Sequence, residues 1–345
     1  MSGPTAPTIE ADLAGYAAVT QEAMRVYLPE TEPRQHLWDL VGEYPGRGGK
    51  AIRPALCLAT TVAFGGELEE ALPSAVALEL LHNAFLVHDD IQDASLRRRG
   101  LPTLHAQYGV PLALNAGDAL AILAGEALRD NRRVLGSRLA ARIGDEFDLM
   151  ARRTLEGQAR ELGWRRDVVL DLKPDDYLDL IMHKTCWYTT VHPLRVGALI
   201  GTLGRVDPDP LVRFGFYLGA AFQIRDDLLN LVGDETKYGK ESCGDLYEGK
   251  RTLMVIHLLR EARGADRDTV ARFLAMERQQ RTPGEVATIL ELMRRYGSID
   301  FAREFGLGIA SAAGDAFEVA FAALPDSPER RFVHELITWM LERDA

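Results

Sequence analysis

ALPSAVALELLHNAFLVHDD, residues 71–90, repeats its apolar residues on a period close to 3.6 and ends on two aspartates. That period predicts a helix buried on most of its circumference. The same signature recurs in LALNAGDALAILAGEAL (112–128), DDYLDLIMHKTCWYTTVHPLRVGALIG (175–201) and DAFEVAFAALP (315–325). No segment alternates with the two-residue strand period between turn signals, so the expected fold class is all-α, with roughly ten or more helices and essentially no sheet. Helix starts are marked by Thr282-Pro283-Gly284-Glu285, a capping-box spacing, and by Ser327-Pro328. Stops are expected at Gly136, Gly204 and Gly297.

The punctuated stretches GRVDPDPL (204–211), ERQQRTPG (277–284) and LPDSPE (324–329) have the length of loops, not of interdomain linkers. One domain over residues 9–345 is expected, with residues 1–8, rich in Pro, Thr and Gly, disordered. The 345 residues are 47% hydrophobic and 26% charged, enough to bury a large core. No apolar run is expected to approach the roughly 18–20 residues of a bilayer span, and the opening is too acidic for a signal peptide. The protein is therefore expected to be cytoplasmic, with no membrane span. Its formal net charge of −11 argues against a broad nucleic-acid surface but not against small anionic substrates. Cys57, Cys186 and Cys243 are too far apart in sequence for a disulfide framework or a zinc site.

Chemistry concentrates where apolar helices end. In LLHNAFLVHDDIQD (80–93) helical spacing sets His82, Phe85, Asp89 and Asp93 along one stripe, with Asp90 beside them. Two like charges one turn apart repel, so a cation should sit there. Such a pair suits Mg²⁺ bridged to a substrate phosphate. A solvated helix end would explain this segment equally well. A second cluster, Asp226, Asp227 and Asn230 in FQIRDDLLN (222–230), also ends a long apolar helix. Two D-D-x-x-[DN] clusters on apolar helices are hard to explain as solvated faces. Facing each other, they would form a carboxylate-walled mouth over an apolar interior, able to hold several Mg²⁺ ions and a diphosphate. Lys50, Arg53, Arg98, Arg99, Lys184, Lys240 and Lys250 lie in short polar motifs around both clusters, as a second phosphate site built from Lys and Arg would require.

Seven ordered motifs now make the chain resemble the trans-polyprenyl diphosphate synthases, the short-chain head-to-tail isoprenyl diphosphate synthases. They are GGKAIRPAL (48–56), LLHNAFLVHDDIQDASLRRRGLPTLH (80–105), NAGDAL (115–120), EGQARELG (156–163), HKT (183–185), AFQIRDDLLNLVGDETKYGKESCGDLYEGKRTL (221–253) and YGSIDFA (296–302). The resemblance implies a helical bundle around a central apolar cavity. It also implies Mg²⁺, three ions by expectation, held by Asp89 and Asp93 with Asp90 in support, and by the second cluster through Asp226, with Asp227 and Asn230. Lys50, Arg53, His82 and Arg99 resemble the pocket for isopentenyl diphosphate. Arg98, Lys184, Lys240 and Lys250 resemble the clamp on an allylic diphosphate, whether dimethylallyl, geranyl or farnesyl. Thr185 and Gln223 resemble the polar groups near the developing carbocation. The family also implies a homodimer.

Two departures stand out: Asn230 replaces the more usual Asp, and Ala51 stands where Arg or Gly is common. Relatives limit product length with bulky residues just before the first acidic motif, here Ala84 and Phe85. The small Ala84 favours a C20 product, geranylgeranyl diphosphate, with farnesyl diphosphate as the alternative. Ala84→Phe is then expected to shorten the product. A class I terpene cyclase would not need the pocket of Lys50, Arg53, His82 and Arg99. A silent partner subunit would have lost charged positions that are filled here.

Overall fold

The computed structural model describes residues 8–233 and 242–342. Among them the all-α expectation holds, the one exception being a two-residue antiparallel ladder that pairs Arg97 with Pro102 and Arg98 with Leu101. Helix α1 (Ile9–Met24) starts on Thr8, whose hydroxyl accepts the Ala11 amide; α2 (Asp39–Gly46), α3 (Ile52–Ala63) and α4 (Leu68–Asp93) follow. A short α5 (Leu104–Tyr108) leads into α6 (Val110–Arg166). The stop expected at Gly136 is realised inside this span: at φ 76° and ψ 162° the glycine is not helical, and two helices meet there across a kink. Helix α7 (Pro174–Ile181) passes through a wide, π-type stretch, Met182–Val191, into α8 (His192–Gly201).

Beyond a turn ending at Gly204 comes α9 (Pro210–Val232). The rest is α10 (Gly244–Glu248), α11 (Leu253–Glu261), α12 (Gly264–Ala275), α13 (Pro283–Arg295), α14 (Ser298–Ala320) and α15 (Pro328–Glu342). The marked starts are realised. Thr282 and Glu285 form the capping box, and Ser327 Oγ accepts the Arg330 amide at 3.1 Å. Gly297, at φ 67°, separates α13 from α14.

Helix α4 packs along α6, with Ala71, Ala75, Leu78, Ala113, Ala116 and Leu120 buried between them. Alanines on both helices let the backbones approach, and each fully buried leucine contributes about 1.5–3 kcal/mol. The wide stretch is gripped from both sides by glycines. A Cβ on Gly157 of α6 would come within 2.7 Å of Lys184 Cα, and one on Gly219 of α9 within 2.6 Å of Thr190 Oγ1. Three backbones can therefore converge beside Lys184.

By length and composition alone, α4 and α6 each hold an 18-residue window apolar enough to cross a membrane. This corrects the expectation that no run approaches that length. For α4 the physical reason is its position: it is wrapped by other helices, 67% of its window is buried inside the fold, and it ends on carboxylates, whereas the α6 window is 39% buried. A helix covered on most sides reads as apolar all round.

Candidate active site

The carboxyl ends of α4 and α9, the wide stretch after α7 and the segment around α10 surround one cavity of about 300 Å³. Asp89 and Asp93 line one wall and Asp226, Asp227 and Asn230 another, so the two acidic clusters do meet. They are nevertheless held differently.

Asp90 is fully buried and does not line the cavity. It receives Arg98 through two arms, Nε to Oδ2 at 2.9 Å and Nη2 to Oδ1 at 2.6 Å, and also accepts the Tyr44 hydroxyl. Helical geometry turns residue 90 about 100° away from the face shared by 89 and 93. The structure thus gives Asp90 the work of fixing Arg98. Asp93, 2% exposed, pairs with Lys250 Nζ at 2.9 Å and with Arg165. Burial alone would raise its pKa, but Lys250, Lys184 and Arg165 outweigh it and hold the carboxyl well below the usual range. Asp89 accepts Gln158 Nε2 at 3.2 Å and lies 3.7 Å from Lys184 Nζ.

In the second cluster Asp227 and Asn230 have neutral partners among the described residues. Asp227 accepts the Tyr177 hydroxyl and Gln223 Nε2, each at 2.7 Å, and Gln223 in turn accepts Thr185 Oγ1 at 2.9 Å. Burial, with Asp245 and Asp226 nearby, pushes the Asp227 carboxyl up to about 8. Asn230 Oδ1 accepts the Asp245 amide at 2.9 Å, which satisfies a free donor of α10's first turn. Asp227 and Asn230 are buried, and Asp226 is the most solvent-accessible member of that cluster.

Lysines and an arginine line the end of the cavity beside the two acidic clusters. Lys184 pairs with Glu161, and although burial opposes its charge, Glu161 and Asp89 hold its pKa above the ordinary value. Lys250 lies 2.6 Å from Glu248 and 3.5 Å from Asp245. Lys240 lies outside the described residues. Arg98 and Arg99 diverge because the turn between the paired residues, Arg99-Gly100, has positive φ at both positions, as a type I′ hairpin requires. Arg98 therefore points back to Asp90 while Arg99 Nη1 reaches the Tyr44 carbonyl at 3.1 Å. Arg97 stays exposed.

At the opposite end Arg53 Nη1 meets His82 Nε2 at 3.2 Å, and its Nη2 donates to Thr189 Oγ1 at 2.9 Å. Glu79, one turn before His82, lies in the field of Arg53 and Arg99; burial pushes its carboxyl up and the two guanidiniums oppose that. Arg53, His82 and Arg99 line the cavity, but Lys50 does not; its ammonium sits 5.1 Å from the ring of Trp339 on α15. Ala84, 1% exposed, faces the α4–α6 core, and neither it nor Phe85 lines the cavity.

Sequence reasoning missed Gln158, Glu161, Arg165, Tyr177, Asp245 and Glu248, all of which touch the predicted residues. EGQARELG and CGDLYEGK carried the signal for four of them, polar residues in short glycine-flanked motifs. Nothing local marked Arg165 or Tyr177.

The donor set fits a hard divalent cation. Among the described residues no three carboxylate, histidine or cysteine side chains converge into a ready coordination shell. Mg²⁺ does not need one, because it keeps several waters and uses one or two carboxylates together with substrate phosphates. Cations already paired with Asp89 and Asp93 show where positive charge is favoured. Such a mouth, carboxylates opposed by lysines and arginines above apolar helices, defines a metal-dependent enzyme acting on diphosphates.

Residues 34–293 match the polyprenyl synthetase family. A short chain isoprenyl diphosphate synthase from Methanothermobacter thermautotrophicus is 34% identical over 298 residues, 86% of this chain and 87% of that one. The crystal structure of a geranylgeranyl pyrophosphate synthetase from Pyrococcus horikoshii superposes with a TM-score of 0.84 at 33% identity, covering 97% of this chain and 98% of that one. A geranylgeranyl pyrophosphate synthase from Corynebacterium glutamicum, solved with isoprenyl diphosphate and magnesium, gives 0.84 at 25% identity, covering 96% and 99%. The chain belongs to the polyprenyl synthetase family. It is a trans-prenyltransferase that acts on isoprenyl diphosphates and depends on a divalent metal.

Proposed function

We propose that this enzyme condenses isopentenyl diphosphate head-to-tail with an allylic diphosphate to give the C20 product geranylgeranyl diphosphate. The observation that carries the reading is the single cavity with carboxylates and lysines at one end and Arg53, His82 and Arg99 at the other. The similarity to the Pyrococcus synthetase supports the C20 length.

In this reading Lys184, Lys250 and Arg98 bind the allylic diphosphate, and Asp89, Asp93 and Asp226 hold up to three Mg²⁺ ions. Bound there, Mg²⁺ supplies positive charge to the leaving diphosphate, favouring its departure over its resting state. Arg53 and Arg99 orient isopentenyl diphosphate so that its double bond faces the allylic carbon. Thr185 and Gln223, bonded to each other and anchored on Asp227, present oxygen dipoles where the carbocation develops. Leu86, Leu180 and Ile181 keep water from the cation. The departing diphosphate accepts the proton lost after coupling.

One unit working as a homodimer in the cytoplasm fits the chain. Val110, Leu114 and Ile122 leave apolar surface exposed on α6, which a second copy would cover. The three cysteines are buried free thiols, as a reducing compartment allows. Light scattering of the purified protein reads the oligomeric state.

The activity is tested by incubating the protein with Mg²⁺, isopentenyl diphosphate and dimethylallyl, geranyl or farnesyl diphosphate in turn, then separating the dephosphorylated products by chromatography. A C20 alcohol from the three-unit primer is expected. A C15 end product would replace the length assignment, and cyclic hydrocarbon without elongation would overturn the reading.

A further inference from the structure

The cavity closes above the residues picked from the sequence as its length stop. Its lining includes Leu86, Leu180, Ile181, Tyr188 and Phe222, and Phe85, outside the lining, packs against Tyr188. Tyr188 differs from the others in what it joins. Its ring meets Phe85 edge to face with centroids 5.9 Å apart and lies 5.9 Å from His82. It also carries the Arg53 guanidinium at 4.3 Å. It is half-buried, and among the described residues its hydroxyl makes no side-chain hydrogen bond. The ring can therefore turn without breaking a polar contact.

Depth follows from the helices. Phe85 lies one turn below Asp89 on α4, and Tyr188 one turn below Lys184 on the wide stretch. A hydrocarbon chain whose diphosphate sits between Asp89 and Lys184 must descend onto the Phe85–Tyr188 pair. Because the wide stretch is wedged against Gly157 and Gly219, the spacing between the Lys184 clamp and the Tyr188 ring is fixed. Turns of this wide kind recur at functional sites.

We propose that Tyr188 is a specificity-determining residue, the second half of an aromatic floor with Phe85 that stops the growing product. The proposal rests on the chain-elongation reading above but not on the C20 length. The ring also supports Arg53 on the isopentenyl side, so a smaller residue should raise KM for isopentenyl diphosphate as well.

The test compares product distributions of wild type, Tyr188→Phe, Tyr188→Leu and Tyr188→Ala under excess isopentenyl diphosphate. Tyr188→Phe keeps both ring contacts and should keep the wild-type distribution. Tyr188→Ala should raise the ratio of next-longer product to wild-type product by about tenfold or more, the discrimination a removed steric contact commonly supports. Tyr188→Leu, which better preserves packing volume, serves if the alanine variant does not fold and should shift in the same direction. An unchanged distribution in the folded variants overturns the proposal, even if the rate falls, since a lower rate alone reports the support of Arg53. Each variant is scored against wild type, so a wild-type product other than C20 sinks the length assignment and leaves this test intact.

Discussion

Two clusters with nearly the same sequence, DDIQD at 89–93 and DDLLN at 226–230, meet across one cavity, and their buried members, Asp90 and Asp93 against Asp227 and Asn230, are held by opposite means. The first is surrounded by cations: Arg98 on Asp90, Lys250 and Arg165 on Asp93, Lys184 near Asp89. In the second, among the described residues, neutral donors hold the two buried members, with Tyr177 and Gln223 on Asp227 and a backbone amide on Asn230. The buried carboxylates of one wall are therefore matched to cations, while Asp227 and Asn230 in the other are held by uncharged donors. A repeated motif is not a repeated site. Equivalent positions differ in role because their partners come from other parts of the chain.

The contrast can be broken most severely at the first wall. Asp89→Asn should lower kcat by on the order of 10³-fold with Mg²⁺ saturating, the scale of losing one centre of charge stabilisation at a leaving group. Steady-state kinetics with geranyl diphosphate checks this, and a loss below tenfold would remove Asp89 from the metal site. Next is Asp90→Asn, which strands the Arg98 guanidinium; the fold should lose about 3–5 kcal/mol, as when one partner of a buried pair is removed. Urea denaturation reads it, and wild-type stability would mean that Arg98 finds another partner.

The walls should also respond to pH with opposite signs in metal-free protein. The folded Asp227 carboxyl, at about 8, lies above its unfolded value near 4. Its contribution is therefore full below about pH 4 and is lost as pH rises through about 8, at up to about 1.4 kcal/mol per pH unit. Asp93, depressed, contributes above its unfolded value and loses that contribution as pH falls through the folded one. Asp227→Asn should flatten the alkaline limb of stability measured in EDTA and leave the acid limb in place. The smallest effect is expected from Asn230→Asp. Its oxygen can still accept the Asp245 amide, so kcat should stay within about tenfold, less than about 1.4 kcal/mol. A larger change would show that residue 230 touches metal or substrate.

Much of this was legible before any coordinates. The 3.6-residue period exposed the helices, and Thr282-Pro283 and Ser327-Pro328 began them where marked. Charged residues at the ends of two apolar helices located the cavity, because such groups are costly inside and must find counter-charges. The division among Asp89, Asp90 and Asp93 was only half legible. Helical period separates Asp90 from the other two, but its Tyr44 partner lies 46 residues away in sequence. Lys50 was read into the cavity from its motif, whereas the ring that holds it belongs to α15, near the end of the chain. The stop at Gly136 was legible, because a glycine at positive φ ends a helix locally, but not that a second helix would begin directly after the kink.

By itself the sequence determined the all-helical fold, the family, and which residue types gather around the diphosphates. Those depend on local periodicity and on short motifs whose chemistry is carried by neighbours within a turn or two. Tertiary structure decided which carboxylates face the cavity, which are bound to cations or neutral donors, and where Tyr188 closes the floor. Those roles depend on side chains brought together from distant helices, and on glycines whose missing Cβ atoms let the backbones meet.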